Sequence, residues 1–326
     1  MATGGIGVIG AGAFGTALAI AQAQAGHAVT LWARDAGQAE AMMRRRENTA
    51  RLPGVALPEG LVVSADFDAV AAGVSVLLLA VPTQALRGVV RAQARALRGR
   101  VLVVCCKGVE RGTGLLPVQV IEAELPGAAV AVLTGPSFAA DVARGKPTAL
   151  TLATGLPGAA ALQERLSTPA LRLYLSEDMQ GAQLGGALKN VVAIAAGITI
   201  GAGLGESARA ALMTRGFAEI ARLAQARGAD PTTLQGLSGF GDLVLTCMSE
   251  KSRNFRHGLA LGRGAAPDDG QTVEGVMTAH AITEAVPDAA DALPVSAMVS
   301  ALLRGRVGLD DAVVALLARP LRHEHD

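Results

Sequence analysis

Lysine is scarce in this chain. Of 29 Lys and Arg residues only four are Lys, at positions 107, 146, 189 and 251. The two cations differ chemically: burial or a neighbouring charge can remove a lysine's proton, whereas a guanidinium keeps its charge. Lys189 stands in Leu188-Lys189-Asn190-Val191-Val192-Ala193-Ile194-Ala195-Ala196-Gly197, a single charge in a run of small apolar residues. Such a charge is costly unless it is paired or faces a cleft. A lysine snorkelling to solvent from a helix end is the plainer alternative, but the apolar run continues well past it. Lys107 follows the buried-strand pattern Val103-Val104-Cys105-Cys106, and ligands of open α/β sheets gather beyond the carboxyl ends of strands. Leu133-Thr134-Gly135-Pro136-Ser137-Phe138 ends another such run. Gly239-Phe240-Gly241-Asp242 puts a carboxylate in a glycine-rich turn, and Thr246 follows. Ser252-Arg253-Asn254 offers a hydroxyl, a planar cation and an amide in succession, which suits a phosphate; alone it would be an ordinary polar turn. An amine tuned by burial and charged neighbours can protonate a developing alkoxide, the requirement of carbonyl reduction.

A second constellation opens the chain. Gly10-Ala11-Gly12-Ala13-Phe14-Gly15 follows a strand pattern (Ile6–Ile9) and precedes a helical one (Ala13–Ala25). The first glycine permits the tight turn, the second lets backbone approach a pyrophosphate, and the third allows helix to pack on strand. The helix N-terminus then faces the anion. The next strand, Val29–Trp32, runs into Ala33-Arg34-Asp35. An NAD site commonly carries an acidic residue here for the ribose 2′-hydroxyl. Arg34 instead could pair a 2′-phosphate, so that NADP is accepted alongside NAD, or could be solvated while Asp35 caps the next helix. Arg44-Arg45-Arg46 reads as a solvated helix end.

These groups must be positioned by two kinds of architecture. Further apolar runs at Val74–Leu79, Arg100–Val104, Val130–Leu133 and Ala149–Ala153 alternate with Ala-rich helical stretches, which implies parallel strands covered on both faces. From about residue 180 the pattern turns helical: Ala182–Ile200, Ser207–Arg227, Thr278–Ala285 and a stretch near Asp310–Ala318. Asp230-Pro231 marks a helix start and Gly228 a helix stop. The expected fold is therefore α/β: a doubly wound, Rossmann-type parallel sheet domain over residues 1–180, followed by an all-helical domain over 181–326. Residues 264–270, rich in Gly, Pro and Asp, read as a loop.

Composition narrows the classes. With 51% apolar and 17% charged residues the chain can bury a large core. A net charge of +1, with no basic stripe, argues against a nucleic-acid partner. Cys105, Cys106 and Cys247 are too few for a disulfide framework, and neither they nor the five histidines show metal-ligand spacing, so no metal is expected. No basic region precedes the first strand as in a signal peptide, and the apolar stretch 190–205 is short and Gly-rich for a membrane span. A cytoplasmic protein is the expectation.

The motifs together resemble the bacterial NAD(P)-dependent glycerol-3-phosphate dehydrogenases. The shared elements are the glycine turn, Lys107-Gly108, Gly135-Pro136-Ser137-Phe138, Leu188-Lys189-Asn190, Gly239-Phe240-Gly241-Asp242, Ser252-Arg253-Asn254 and Val273-Glu274-Gly275, in the family's order from residue 5 to about 275. The last 50 residues carry no such motif. The resemblance implies reversible reduction of dihydroxyacetone phosphate to sn-glycerol 3-phosphate, which feeds phospholipid synthesis. It implies Lys189 as general acid/base, supported by Lys107 and Asp242, with Thr246 nearby. It places Gly135, Ser137, Asn190, Ser252, Arg253 and Asn254 around the substrate. It puts Gly10, Gly12, Ala13, Phe14, Gly15, Arg34, Lys107, Ala139, Arg253 and Glu274 at NAD or NADP, and it implies a homodimer. Ala13 departs from the serine common in the family, and Cys105 and Cys106 stand where small or hydroxyl residues are commoner. Both cysteines read as packing residues. Two alternatives remain at this level: a β-hydroxyacid or sugar-acid dehydrogenase of similar architecture, against which the Ser252–Asn254 trio argues, and a non-catalytic dinucleotide sensor, against which the lysine pair argues. Gly236 to Phe240 lacks the final glycine of a hydrolase nucleophile elbow.

Overall fold

The computed structural model describes residues 4–266 and 273–317. Eight strands form one sheet: β1 (Ile6–Ile9), β2 (Val29–Trp32), β3 (Leu61–Ser64), β4 (Val76–Leu79), β5 (Val101–Val104), β6 (Ala129–Thr134), β7 (Thr148–Ala153) and β8 (Leu171–Ser176). Their order is β3-β2-β1-β4-β5-β6-β7-β8. Strands β1 to β6 are parallel; β7 pairs antiparallel with β6, and β8 lies parallel to β7. The doubly wound sheet is thus as expected through β6, but the run at residues 149–153, expected to be parallel, points the other way. A strand covered on both faces carries the same apolar run in either direction, so its composition holds no information on polarity.

Strand β1 fixes where a ligand can sit. All four of its residues are buried, and it pairs with β2 on one side and β4 on the other, Ile9 lying opposite both Trp32 and Leu79. Strand order reverses at β1, so a crevice opens beyond its carboxyl end. The glycine turn occupies that position and leads into the helix Ala13–Gln24.

After β8 the chain is helical through Leu317. Its centre is the helix Met179–Gly201, whose residues 181–199 are all buried. By length and mean hydropathy (23 residues, 1.5) this helix could cross a membrane, but 89% of its most apolar window is buried inside the protein. Gly205–Ala226, Asp242–Cys247, Arg253–Gly262, Glu274–Ala285, Pro294–Leu303 and Leu309–Leu317 are its main companions. The stop at Gly228 (φ 80°) and the start at Pro231, capped by Asp230 accepting from Thr232 N at 2.8 Å, follow the sequence signals. The expected loop at 264–270 lies mostly outside the described residues.

Two of these helices pack backbone to backbone. A Cβ on Gly258 would overlap the Ile194 carbonyl oxygen, and one on Gly197 would overlap that of Phe255. Only glycine allows so close an approach, and it sets the start of the Arg253–Gly262 helix beside residues 189 and 190.

Candidate active site

The site forms where the carboxyl edge of the sheet meets the central helix. Lys107 emerges three residues after β5, and its Nζ donates to Gly135 O (3.1 Å), at the end of β6, and to Asp242 Oδ2 (2.6 Å). Lys189, in mid-helix and 6% exposed, donates from Nζ to the other carboxylate oxygen, Oδ1, and to Thr246 Oγ1 at 2.8 Å. Asp242 is fully buried. One carboxylate therefore holds two ammonium groups from different halves of the chain. Asp242 and Thr246 are four residues apart on Asp242–Cys247, which puts both side chains on the face turned to Lys189.

The turn expected to carry Asp242 is in fact π-helical, Leu237–Gly241, running directly into the next helix. A wider turn of this kind accommodates one extra residue and recurs at functional positions. Three glycines in six residues give no periodic signal for it.

Electrostatics follow from this geometry. Burial lowers the pKa of Lys189 to about 8; Asp242 opposes that shift and Lys107 reinforces it. Burial is the largest cause, ahead of the neighbouring charges. Glu274, half-buried at the start of Glu274–Ala285, is pushed up to about 7, chiefly by burial, while Arg253 and the Thr83 backbone N–H hold it down. Burial also pushes all three thiols above the ordinary range, consistent with packing roles for Cys105 and Cys106.

The remaining expected residues divide into those near this cluster and those committed elsewhere. Ser137 Oγ donates to Gly135 O at 3.3 Å, beside Lys107's own bond to that oxygen. Asn254 Nδ2 donates to Asn190 Oδ1 at 3.0 Å, and Asn254 Oδ1 accepts from Gly275 N at 3.0 Å. Its amide thus ties the central helix to the segment bearing Glu274. Ser252 caps its helix, accepting from Phe255 N at 3.2 Å. Arg253 is exposed at the same helix start. Lys251 adjoins this segment in sequence, but its ammonium turns to Asp141 (2.9 Å), a carboxylate shared with Lys146 (2.8 Å). Thr134 and Thr278, for which no role was expected, have buried hydroxyls without a hydrogen-bond partner among the described residues. A lone threonine carries no pattern that would mark it.

The glycine turn fits a dinucleotide. Gly10 has φ 116°, and a Cβ there would come within 2.8 Å of Ala80 O. A Cβ on Gly15 would overlap Gly10 O. A Cβ on Gly12 would meet nothing within 4 Å, so the turn's outer side is open. Ala13 and Phe14 begin the helix, and its cap residue Gly12 supplies no side-chain acceptor to its free N–H groups. Arg34 is exposed just beyond β2, whose Trp32 O accepts from Gly10 N at 3.1 Å. Asp35 does cap the next helix, accepting from Gln38 N at 2.6 Å. Ala139 opens the short helix Ala139–Ala143 after β6.

A doubly wound sheet with an open glycine turn, closed by a helical domain that delivers a buried amine to the sheet's carboxyl edge, defines the nicotinamide-dependent dehydrogenase class. The family models for the N-terminus and the C-terminus of NAD-dependent glycerol-3-phosphate dehydrogenase match residues 5–159 and 178–314. The chain belongs to that family. It is 58% identical to a glycerol-3-phosphate dehydrogenase (NAD(P)+) of Cereibacter sphaeroides, over 98% of this chain and 100% of the relative. It is 56% identical to the enzyme of that name from Roseobacter denitrificans, over 98% and 99%. The crystal structure of a glycerol-3-phosphate dehydrogenase from Coxiella burnetii superposes with a TM-score of 0.91 at 36% identity, covering 97% of this chain and 99% of that one.

Proposed function

We propose that the protein reversibly reduces dihydroxyacetone phosphate to sn-glycerol 3-phosphate with NADPH or NADH. The observation that carries the proposal is the buried carboxylate of Asp242 holding both Lys107 and Lys189. A nicotinamide dinucleotide, when bound, supplies the hydride. The glycine turn and the Ala13–Gln24 helix start would hold its pyrophosphate, with Arg34 and Glu274 at its two ends.

Lys189 does the protein's part of the chemistry. As an ammonium it stabilises negative charge developing on the carbonyl oxygen and then donates a proton to it. A pKa near 8 keeps it mostly protonated at neutral pH yet lowers the cost of giving the proton up. Asp242 fixes the direction of its Nζ. Lys107 adds positive charge toward the substrate. Arg253, at its helix start, is the charged partner for the phosphate, whose binding energy orients the carbonyl. Asn254 is already bonded on both sides and so works through the shape of the pocket as well as through contact.

Arg34 is exposed just beyond β2, where an NAD site commonly carries an acidic residue, and this favours acceptance of NADPH. Arg34→Ala is expected to lower the NADPH/NADH preference in kcat/KM; an unchanged ratio would remove Arg34 from cofactor choice. Division of the chain near residue 180 is part of the same reading, supported by the gap between the two family matches and the start of the central helix at Met179. So are a homodimer, testable by sedimentation, and a cytoplasmic location.

The direct test adds dihydroxyacetone phosphate to protein with NADPH and then with NADH, following loss of reduced-nicotinamide absorbance. Oxidation is expected with the phosphorylated ketone and not with dihydroxyacetone. Protein that binds NADPH but oxidises it with neither would overturn the substrate.

A further inference from the structure

The glycine turn is held from behind by a residue outside every motif described above. Asn48 follows the helix Ala36–Arg45 in a segment that folds back through a bridge between Glu47 and Ala56. It is 1% exposed. Its Nδ2 donates to Ala11 O at 3.0 Å and to Thr16 Oγ1 at 2.8 Å, reaching both sides of the turn. The segment around it is itself braced. Asn48 O accepts from Leu52 N at 2.8 Å, and the Arg46 guanidinium donates to the carbonyls of Leu57, Pro58 and Leu61.

The bond to Ala11 O has a consequence for the peptide that links Ala11 to Gly12. In a trans peptide the carbonyl and the following N–H point in opposite directions. No cis peptide occurs among the described residues. With Ala11 O drawn inward to Asn48, the Gly12 N–H faces away from the interior, and an acceptor that would repel an anion is turned out of the crevice. Gly12 is half-exposed on an open side. The Gly12 N–H thereby joins the free N–H groups at the start of the Ala13–Gln24 helix.

We propose that Asn48 is a positioning residue for the cofactor's pyrophosphate, acting through the orientation of the Ala11–Gly12 peptide. The proposal rests on the dinucleotide reading given above. It assigns Asn48 no contact with the ligand. Loss of its amide donor frees this peptide to rotate, and the anion then meets a carbonyl for part of the time.

The test measures NADPH binding without turnover, by energy transfer from Trp32, the chain's single tryptophan, at the end of β2. Wild type is compared with Asn48→Leu, which keeps the volume but has no donor, and with Asn48→Ala, which decides the matter should the first not fold. Thr16→Val removes the other bond of Nδ2 and leaves the one to Ala11. Both Asn48 variants are expected to raise the NADPH Kd roughly 10- to 100-fold, the scale of one hydrogen bond to a charged group. Thr16→Val should change it by less than about threefold. At saturating NADPH, the KM for dihydroxyacetone phosphate and kcat should stay near wild type, since Asn48 lies away from the lysine cluster. A folded Asn48 variant that binds NADPH as wild type does overturns the role of Asn48 alone. Equal losses in NADPH and substrate affinity overturn it too, as general loosening. Wild-type protein that binds no NADPH overturns the dinucleotide reading itself.

Discussion

At Asp242 one buried carboxylate answers two ammonium groups, and those charges adjust the shift that burial imposes on Lys189. Two lysines without the acid would repel each other and shed protons; one lysine with it would be held firmly charged. Burial, opposed by Asp242 and reinforced by Lys107, leaves the Lys189 pKa near 8, where an amine can both give and regain a proton. Lys189→Ala is expected to lower turnover roughly 10²–10⁴-fold with the fold intact, the usual scale for losing a general acid. Near-normal turnover in that variant would reject the assignment. Lys107 and Lys189 could be singled out in the sequence, because a lone charge in an apolar run and a lysine after a buried strand both demand an explanation, whereas Asp242 stood out only as a carboxylate in a glycine-rich turn and through the family resemblance. Asn48 was not. A single asparagine after a run of arginines has no pattern, and its work depends on contacts 37 and 32 residues away in sequence.

At the scale of elements, the site depends on how near two helices can come. The Arg253–Gly262 helix reaches Lys189's neighbourhood because Gly258 and Gly197 leave no Cβ between the backbones. Gly258→Ala is expected to cost about 1–3 kcal/mol through forced separation. The denaturant midpoint reports this, with a rise in the KM for dihydroxyacetone phosphate as Arg253 moves. Gly60→Ala, where an added Cβ meets nothing within 4 Å, should leave both unchanged. Equal midpoints for the two variants would contradict the close-packing account. The elements the sequence hid share a physical cause. β3 and β8 are the sheet's two edges; in β8, Leu171 and Leu173 are buried while Arg172 and Tyr174 are exposed. Their mixed faces break the continuous apolar run that announces an interior strand. The orientation of β7 and the π-helical turn before Asp242 stayed hidden because both are decided by tertiary packing.

At the scale of the molecule, each half supplies what the other lacks. The sheet brings the glycine turn and Lys107; the helical half brings Lys189, Asp242 and Arg253. The cluster exists only when the halves are together, so ligands that fill the crevice should stabilise the whole chain. NADPH at a hundred times its Kd is expected to add about 2.7 kcal/mol, seen as a rise of several degrees in Tm. An unchanged Tm at that concentration would contradict binding to the folded crevice.

Lys189, tuned by burial and Asp242, is proposed here as the group that carries the proton. The most direct test of that role is the pH dependence of single-turnover rates in both directions. Reduction needs the ammonium, so its rate should hold below the Lys189 pKa and fall as pH rises through about 8. Oxidation needs the free amine, so its rate should climb through the same midpoint and then level. One shared midpoint with opposite slopes is the predicted result. A reduction rate that stays level well above pH 8, or an oxidation rate with no acid limb, would contradict the assignment of the proton to Lys189.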